Sequence, residues 1–278
     1  MIKFFEKDPY APIQYVYDVE EVLYKGKSDF QEIMVFKNPH FGNILVLDGV
    51  VQITERDEFL YHEMLVHIVL HAHPNPKKVV VIGGGDGGTV REVLKHRSVE
   101  KVYFIEIDKE VINVSKKFFP AVAGGVDDPR VEIKCMDGAE FVKNRPGDID
   151  AIIVDSTDII GFAQSLFTVE FFKSVKDALA DEGMFVTLSE SLHFHKDMVV
   201  EVQETMKRIF PLVDLYTAPI ATYAGNWWTF SAASKKHSLR EMRTEYGIDT
   251  KYYNDEVHRQ AFLSPKLYEL LMQRKLRW

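Results

Sequence analysis

Acidic and glycine-rich segments follow four predicted β-strands, and these segments carry the residue types that could do chemistry. The first, residues 83–88, is a run of five glycines interrupted by Asp86, between a predicted strand and a predicted helix. Glycines let a ligand approach the backbone closely, so this loop predicts a nucleoside ligand. A carboxylate within the loop would repel a diphosphate but attract an ammonium or sulfonium group, which argues against the usual dinucleotide. The alternative, a simple tight turn, needs only one or two glycines.

Two further acidic positions close the second and third predicted strands. Glu106 lies 20 residues beyond Asp86, where an acidic side chain takes the ribose hydroxyls in nucleotide-binding folds. Asp108 lies just after it. Asp137 and Gly138 close the third strand, where a carboxylate can accept a hydrogen bond from an exocyclic amino group such as that of adenine. Taken alone, Glu106 could instead be a solvated strand-end carboxylate.

A pair of carboxylates, Asp155 and Asp158, follows the fourth predicted strand. They are three residues apart, and we expect them to lie over the same crevice as Asp86. Clustered carboxylates repel one another, so at least one should have a raised pKa unless a cation compensates. A diamine substrate would be that cation. The alternative is that Asp158 only begins a helix through an Asx-type turn.

Four histidines, His62, His67, His71 and His73, lie on or near one predicted helix and invite a metal-site hypothesis. His62 and His67 are five residues apart, one more than the spacing with which two zinc-protease histidines share a helix face. His67 and His71 do share a face. Helical histidines of this kind are more often packing or surface residues, and we expect no metal site.

Apolar patterns predict the elements that must position these residues. Residues 13–55 are typical of a small β-rich unit, with strands at 13–17, 30–36 and 43–54, and Asp48-Gly49 predicts a hairpin turn. A helix should follow up to Pro74, with Thr54 and Asp57 as its capping box. Beyond Lys77, strands alternate with helices, which predicts a parallel sheet covered on both faces. The strands are predicted at 79–82, 102–107, 131–136, 149–154 and 184–188, and the helices at 90–96, 110–118 and 169–180.

Composition and charge limit the class of protein. The 278 residues include 42 acidic and 34 basic side chains, for a net charge of -8, which disfavours binding to nucleic acid and suits a cationic small molecule. The single cysteine, Cys135, excludes an internal disulfide and fits a reducing compartment. The sequence shows neither a signal peptide nor an apolar stretch long enough to span a bilayer. These features predict a cytosolic protein that binds no membrane.

Taken together, the segments resemble the polyamine aminopropyltransferases, and in particular the bacterial spermidine synthases. The resemblance runs over nearly the whole chain and rests on residues 47–52, 55–59, 61–64, 73–76, 83–88, 155–158, 222–223, 250–253 and 258–262. It implies an α/β fold, with an amino-terminal β-domain (1–55) and a Rossmann-like, methyltransferase-type catalytic domain (56–278) whose sheet is mostly parallel. It also implies a homodimer or homotetramer.

The resemblance further implies that decarboxylated S-adenosylmethionine, a co-substrate, donates an aminopropyl group to a diamine, and that no cofactor is needed. Asp155 would be the catalytic proton acceptor, and Asp86 would bind the ammonium of the aminopropyl group. The nucleoside would be held by Gln31, Glu106, Asp137 and Gly138. The polyamine would be bound by Gln52, Tyr61, His62, Asp86, Asp155, Asp158 and Tyr223.

Two segments depart from the family pattern. The proline- and glycine-rich residues that usually follow Asp158 are replaced by Ile-Ile-Gly-Phe-Ala at 159–163, and the usual Tyr-Pro-Ser-Gly is Tyr-Ala-Gly-Asn at 223–226. Both belong to the lid and amine pocket, and Phe162 replaces a proline that normally contacts the nucleoside. Putrescine is the expected acceptor from the resemblance, and because these two segments are altered, agmatine, cadaverine and spermidine stay as alternatives. A methyltransferase using S-adenosylmethionine and a non-catalytic polyamine-binding paralogue are the competing hypotheses.

Overall fold

The structure is a computed structural model that describes residues 2–143, 145–159, 161–244 and 247–278, with the backbone alone for residues 161 and 162. Its amino-terminal part forms two small antiparallel sheets. A two-stranded sheet joins β1 (Ile2–Lys7) to β2 (Gln14–Val19), and a four-stranded sheet contains β3 (Glu21–Lys27), β4 (Glu32–Asn38), β5 (Gly42–Leu47) and β6 (Val50–Thr54).

The predicted hairpin turn joins β5 to β6. Leu47 pairs with Val50 across the ladder. Between them Asp48 has φ 47° and Gly49 has φ 85°, the two positive values that a type I′ turn needs. The hairpin prediction is confirmed.

The remaining strands form one seven-stranded sheet. They are β7 (Lys78–Gly83), β8 (Lys101–Ile105), β9 (Val131–Lys134), β10 (Ile149–Asp155), β11 (Leu179–Ser191), β12 (Leu212–Pro219) and β13 (Trp227–Ser234), in the spatial order β12-β13-β11-β10-β7-β8-β9. The five strands from β7 to β11 are parallel. At one edge β13 runs antiparallel to β11, and β12 runs antiparallel to β13 and hence in the direction of the other strands. Numbered within this sheet, the order is 3-2-1-4-5-7-6, so the strand order reverses between β7 and β10, where ligands of such sheets bind.

Helices cover both faces of this sheet. They are α1 (Glu58–Ala72), α2 (Gly88–Leu94), α3 (Lys109–Phe118), α4 (Gly138–Val142), α5 (Val169–Ala178), α6 (Lys196–Lys207), α7 (Asp255–Gln260) and α8 (Pro265–Met272), with short 3-10 turns at Ala123–Gly125 and Gly161–Phe167. Successive residues of β7 point to opposite sides: Val79 and Val81 pack with α1, whereas Val80 and Ile82 pack with α5. The Rossmann-like, mostly parallel fold and the separate amino-terminal β-structure agree with the predicted class.

The predicted capping box forms only in part. The residue preceding α1 is Asp57, not Thr54, and the helix begins at Glu58. The Thr54 hydroxyl nevertheless accepts the N–H of Asp57 at 3.3 Å, and it donates 2.6 Å to the Asp57 carboxylate. The other Asp57 oxygen accepts hydrogen bonds from the main-chain N–H and the hydroxyl of Thr222, so Asp57 fastens the start of α1 to a distant loop. Among the described residues, no helix is long and apolar enough to cross a membrane.

Candidate active site

A cavity of about 540 Å³ lies between the amino-terminal sheets and the carboxyl ends of the parallel strands. Every site residue predicted from the sequence lines it: Gln31, Gln52, Tyr61, His62, Asp86, Glu106, Asp137, Gly138, Asp155, Asp158 and Tyr223. The cavity wall also contains Glu6, Asp8, Asp48, Glu190 and His195, for which no role was predicted. Its walls are therefore strongly acidic.

The loop after β7 is rich in glycine because its backbone lies directly against Asp155. The register of the sheet pairs Gly83 with Asp155. Gly83 and Gly84 have φ values of +77° and +69°, and a Cβ at either residue would overlap Asp155. Glycine is thus required twice, for the left-handed backbone and for the close approach.

Asp86 is held at the start of α2 with its carboxylate in the cavity. The N–H of Gly88 donates 2.7 Å to Asp86 Oδ1, and Nε2 of His62 lies 3.2 Å from the same oxygen. Burial favours the neutral acid, but the charge of His62 and these contacts outweigh it and lower the pKa of Asp86. This shift favours the anionic form of Asp86.

The histidine beside Asp86 is placed by α1. His62 Nδ1 lies 2.6 Å from Glu58 Oε2, one helical turn earlier. Its ring fills the space in which Gly88 would carry a Cβ, so a glycine there is needed to admit the imidazole. Burial opposes the charged form, but Asp86 and Glu58 on its two nitrogens raise the pKa of His62 well above its usual value.

Asp155 lies at the end of β10, opposite the glycine loop. Thr89 donates a 2.6 Å hydrogen bond to its Oδ2. Burial and the neighbouring Asp86 charge raise the pKa of Asp155 to about 6, while His62, Thr89 and Tyr61 act in the opposite direction. Burial and the Asp155 charge also raise the pKa of Tyr61 well above its usual value. A carboxyl group whose pKa lies near neutral pH is suited to accept a proton.

The predicted nucleoside side is built from the ends of β8 and β9. Burial raises the pKa of Glu106 to about 7, and Glu106 Oε1 accepts the N–H of Asp108 at 2.8 Å. Asp108 in turn accepts hydrogen bonds from Ser28 at 2.6 Å and from the Gln31 side chain at 2.8 Å. Gln31 therefore reaches the site from the amino-terminal sheets, through Asp108.

Asp137 and Gly138 close the third parallel strand, as predicted. The Asp137 carboxylate caps α4 by accepting the N–H groups of Ala139 and Glu140. A Cβ at Gly138 would overlap Ile82 of β7. The structure thus explains both residue types by packing and capping, and their predicted contact with adenine stays a prediction.

At the opposite end of the cavity, Asp158 faces a second acidic group. Burial and the neighbouring Glu190 raise the pKa of Asp158 well above its usual value. Glu190 is buried at the end of β11 with φ 74°, a positive value uncommon outside glycine. His195 lies between two acids, with Nδ1 3.5 Å from Glu190 and Nε2 3.2 Å from Asp8.

Tyrosines and a glutamine form the wall between the two ends. The Tyr223 hydroxyl donates 2.7 Å to the main-chain oxygen of Gln52, and the rings of Tyr61 and Tyr223 meet edge to face at 5.5 Å. The Gln52 side chain donates to the oxygen of Val50 at 3.2 Å. The altered segment after Asp158 is only partly visible, because residue 160 and the side chains of residues 161 and 162, including the substituted Phe162, lie outside the described residues.

Sequence reasoning missed Glu6, although a signal for it was present. Glu6 follows Phe4 with a spacing of two in β1, so both side chains face inward. Its carboxylate accepts hydrogen bonds from the Val51 N–H at 2.8 Å and the Tyr17 hydroxyl at 3.2 Å. Burial raises the pKa of Glu6 to about 7. An acidic residue on the inward face of a strand predicts a partner or a ligand.

One group of described residues brings three possible metal-ligand atoms within 4.8 Å of one another, namely His62, Asp86 and Asp155. Each nitrogen of His62, however, already faces a carboxylate, at 2.6 Å from Glu58 and 3.2 Å from Asp86. An imidazolium suits that arrangement, since both of its nitrogens are donors. We therefore interpret this group as a protonated histidine among anions.

The fold and the site together define a Rossmann-like enzyme with a nucleoside-type loop and an acidic cavity for cations. Residues 58–243 match a family model described as the spermine/spermidine synthase domain, and residues 2–55 match one described as the spermidine synthase tetramerisation domain. A polyamine aminopropyltransferase of Hydrogenobaculum sp. is 53% identical over 271 residues, covering 98% of this chain and 97% of that protein. Polyamine aminopropyltransferase 1 of Aquifex aeolicus is 52% identical, with the same coverage.

Solved structures agree with these relatives. A spermidine synthase in complex with the transition-state analogue AdoDATO superposes with a TM-score of 0.91 at 38% identity, covering 98% of this chain and 95% of that one. The spermidine synthase of Thermotoga maritima gives a TM-score of 0.88 at 37% identity, covering 98% and 94%. The chain belongs to the spermine/spermidine synthase family and is a transferase of the polyamine aminopropyltransferase type, as its sequence resemblance predicted.

Proposed function

We propose that the enzyme transfers the aminopropyl group of decarboxylated S-adenosylmethionine to putrescine, giving spermidine and methylthioadenosine. The observation that carries the proposal is the pairing of Gly83 with Asp155 across β7 and β10, which brings Asp86 and Asp155 to one cavity. Both reactants are cations that repel each other in water. Acidic walls on both sides of the strand junction favour their simultaneous binding.

The donor would occupy the half of the cavity formed by the glycine loop and the ends of β8 and β9. We assign Glu106 to the ribose hydroxyls, Asp137 and Gly138 to the base, and Gln31 to the nucleoside edge. The anionic Asp86 would bind the ammonium of the aminopropyl group. A bound sulfonium would lower the pKa of Glu106 from about 7.

Asp155 would be the proton acceptor for the attacking amine. An alkylammonium has a pKa of about 10.4, and only its free base is nucleophilic. Asp155 removes one proton, and the nitrogen lone pair then forms a bond to the carbon attached to sulfur. That carbon–sulfur bond breaks with its electron pair left on sulfur, giving the neutral thioether. Tyr61 and Asp158 orient the amine, and His62 neutralises part of the acidic wall.

The far end of the cavity supports an acceptor with a second positive charge. Asp158, Glu190 and Glu6 lie there, and both Asp158 and Glu6 have raised pKa values because they are buried. A second ammonium would ionise these acids and pair with them. Turnover of putrescine, cadaverine, agmatine and spermidine should be compared by release of methylthioadenosine, and a higher kcat/KM for another amine would reject putrescine as the acceptor.

Binding of the donor separates this proposal from its competitors. A methyltransferase must bind the carboxylate of intact S-adenosylmethionine, which Asp86 would repel. Calorimetry should therefore show tighter binding of the decarboxylated donor, and a preference for the intact one would reject aminopropyl transfer. A non-catalytic paralogue would bind amines without releasing methylthioadenosine, so product formation in the same panel excludes it.

We also propose that the enzyme acts as a homo-oligomer, a dimer or a tetramer, with the amino-terminal sheets in the contact. The match of residues 2–55 to a tetramerisation domain supports this. Phe5 and Val16 pair across β1 and β2 and are 56% and 53% exposed. Apolar side chains paired on an outer sheet face gain stability when a second copy covers them.

A further inference from the structure

A buried chain of charged side chains runs from the cavity to the protein surface behind Asp86. Nε2 of His62 lies 3.2 Å from Asp86, and its Nδ1 lies 2.6 Å from Glu58. Arg91 donates to both oxygens of Glu58, at 3.0 and 2.8 Å. The side chains of His62 and Glu58 are buried, whereas that of Arg91 is 21% exposed. Neither Glu58 nor Arg91 lines the cavity.

With His62 protonated, the charges in this chain alternate in sign from the cavity outward. Asp86 lies beside His62, and Glu58 lies between His62 and Arg91. A buried charge is tolerated when oppositely charged groups and hydrogen bonds surround it, and breaking one link leaves an uncompensated charge. The two-pronged contact of Arg91 with Glu58 also fixes the carboxylate in the plane that faces the imidazole.

The directions of the pKa shifts agree with this arrangement. Burial would raise the pKa of Glu58, but His62 and Arg91 lower it to about 2. The pKa of Asp86 is lowered although the residue is buried, since His62 lies beside it, whereas burial and the Asp86 charge raise that of Asp155 to about 6. The pKa values of these two neighbouring carboxylates thus differ strongly. Such a difference allows one site to contain both an anion and a proton acceptor.

We propose that Glu58 and Arg91 are positioning residues that hold His62 as an imidazolium against Asp86, so that Asp86 stays an anion and Asp155 is the carboxylate that takes the proton. This inference rests on the proposed function for its kinetic consequence. Its electrostatic part concerns the enzyme without substrates. The other groups that act on His62, Asp86 and Asp155 include Tyr61, whose ring is 5.4 Å from that of His62, Thr89 and Tyr223. Glu106 belongs with them, since the charges of Asp155 and Asp86 add to the burial that raises its pKa to about 7.

The kinetic test compares Glu58→Gln with Glu92→Gln. Both substitutions remove a buried carboxylate that accepts a hydrogen bond from Arg91 and faces a histidine, but Glu92 faces His67, which lies 3.0 Å away and does not line the cavity. Without Glu58, His62 loses its charge near neutral pH. The repulsion between Asp86 and Asp155 is then no longer screened. The acid limb of kcat/KM should move up by about one pH unit, a tenfold loss below that limb, while Glu92→Gln leaves the limb in place.

A spectroscopic measurement tests the same inference without turnover. The ¹⁵N shifts of the His62 ring should report a doubly protonated imidazole up to pH 8 in the unsubstituted enzyme and a neutral ring at pH 8 in Glu58→Gln. If Glu58→Gln does not fold, Glu58→Asp is measured instead; its shorter side chain withdraws the carboxylate from Nδ1 of His62 and should lower the pKa of His62 in the same direction. A neutral His62 at pH 7 in the unsubstituted enzyme would overturn the proposal, as would an acid limb that stays in place in Glu58→Gln. Failure of aminopropyl transfer itself would appear separately, as absence of methylthioadenosine.

Discussion

The hydroxyl of Thr89 donates a 2.6 Å hydrogen bond to Oδ2 of Asp155, across 66 residues of sequence. Thr89 is the second residue of α2, directly after the glycine loop, and it is fully buried. A hydrogen bond to the charged form of a carboxylate favours that form. Thr89 therefore lowers the pKa of the proposed proton acceptor against the effect of burial.

Replacing Thr89 by Val should raise the pKa of Asp155 above about 6. The acid limb of the pH profile of kcat/KM should shift upward by about half to one pH unit, because one charge-assisted hydrogen bond is lost. Thr89→Ser keeps the hydroxyl and should keep the limb. Identical profiles in the Val and Ser variants would show that this hydrogen bond does not set the pKa.

Asp155→Asn should fold, bind the donor and lose most of its turnover. The amide cannot accept the proton of the ammonium, and loss of such a group costs on the order of 100-fold or more in rate. Calorimetry with the decarboxylated donor and a methylthioadenosine assay check the two halves of this expectation. Full activity in this variant would refute the assigned base.

Gly84→Ala should destabilise the protein by about 2 kcal/mol, since the new Cβ would require a strained backbone and would overlap the Asp155 carboxylate. The φ of Gly84 is +69°, and Oδ2 of Asp155 occupies the space that the methyl group would need. Gly124→Ala is the matched control, because nothing lies within 4 Å of a Cβ at that position. Urea unfolding of the two variants gives the comparison, and equal midpoints would contradict the proposed crowding.

The free energy of unfolding should depend on pH through two buried histidines that do not line the cavity, one on α1 and one on α7. Burial lowers the pKa of His71 and of His258 to about 4. Between pH 6.5 and 4 the unfolded chain binds protons at these positions and the folded chain does not. Each therefore reduces the free energy of unfolding as the pH falls through that window, by up to about 1.4 kcal/mol per pH unit.

The buried acids act in the opposite direction. Glu6 and Glu106 have pKa values raised to about 7 in the folded state, so they stay protonated at a pH at which they ionise in the unfolded chain. Their contribution to the free energy of unfolding is therefore lost as the pH rises through 7. The histidine effect must therefore be isolated by difference. His71→Phe, whose ring can still stack on Tyr253, should show a smaller loss of stability between pH 6.5 and 4 than the unsubstituted enzyme. Parallel curves from denaturant titrations would refute this.

The oligomeric state should depend on the exposed apolar side chains of β1. Phe5→Lys should shift sedimentation toward a smaller species, because a charge would replace an apolar contact between copies. Ile133, which is 40% exposed on β9 at the edge of the seven-stranded sheet, offers a control as Ile133→Lys. An unchanged sedimentation coefficient for the Phe5 variant would place the interface elsewhere.

The sequence predicted the part of the fold that is built from continuous apolar runs. Four of the five parallel strands were expected within two residues of their observed bounds, because strands buried on both faces are apolar throughout. The fifth, β11, begins at Leu179, five residues before the predicted start, and takes the last residues of the helix predicted at 169–180. β13 was missed because it contains Thr229, Ser231 and Ser234, which are buried nonetheless. The hydroxyls of Thr229 and Ser231 form hydrogen bonds with that of Ser189, at 2.8 and 2.9 Å. The hydroxyl of Ser234 accepts the main-chain N–H groups of residues 236 and 237, and no local pattern shows these partners.

Site residues that follow the end of a parallel strand could be predicted from the sequence. Site residues that meet only because distant parts of the chain fold together could not. Asp86, Glu106 and Asp155 followed from the rule that ligands lie at the carboxyl ends of parallel strands. Asp8 and His195 are 187 residues apart in sequence, and only the folded chain shows them 3.2 Å apart. The charge of His62 likewise depends on Glu58 and Asp86 together, which a spacing pattern alone cannot express.

The hydrogen bond from Gln31 to Asp108 joins the amino-terminal sheets to the start of α3 beside Glu106. Both units of the chain thus contribute residues to the wall of the cavity. A chimaera that exchanges residues 1–55 with those of a relative would carry foreign partners to Asp108 and to His195. Exchange of segments between members of this family should therefore keep the contacting residues of the two units together. The acceptor preference should depend on both of the units that line the cavity.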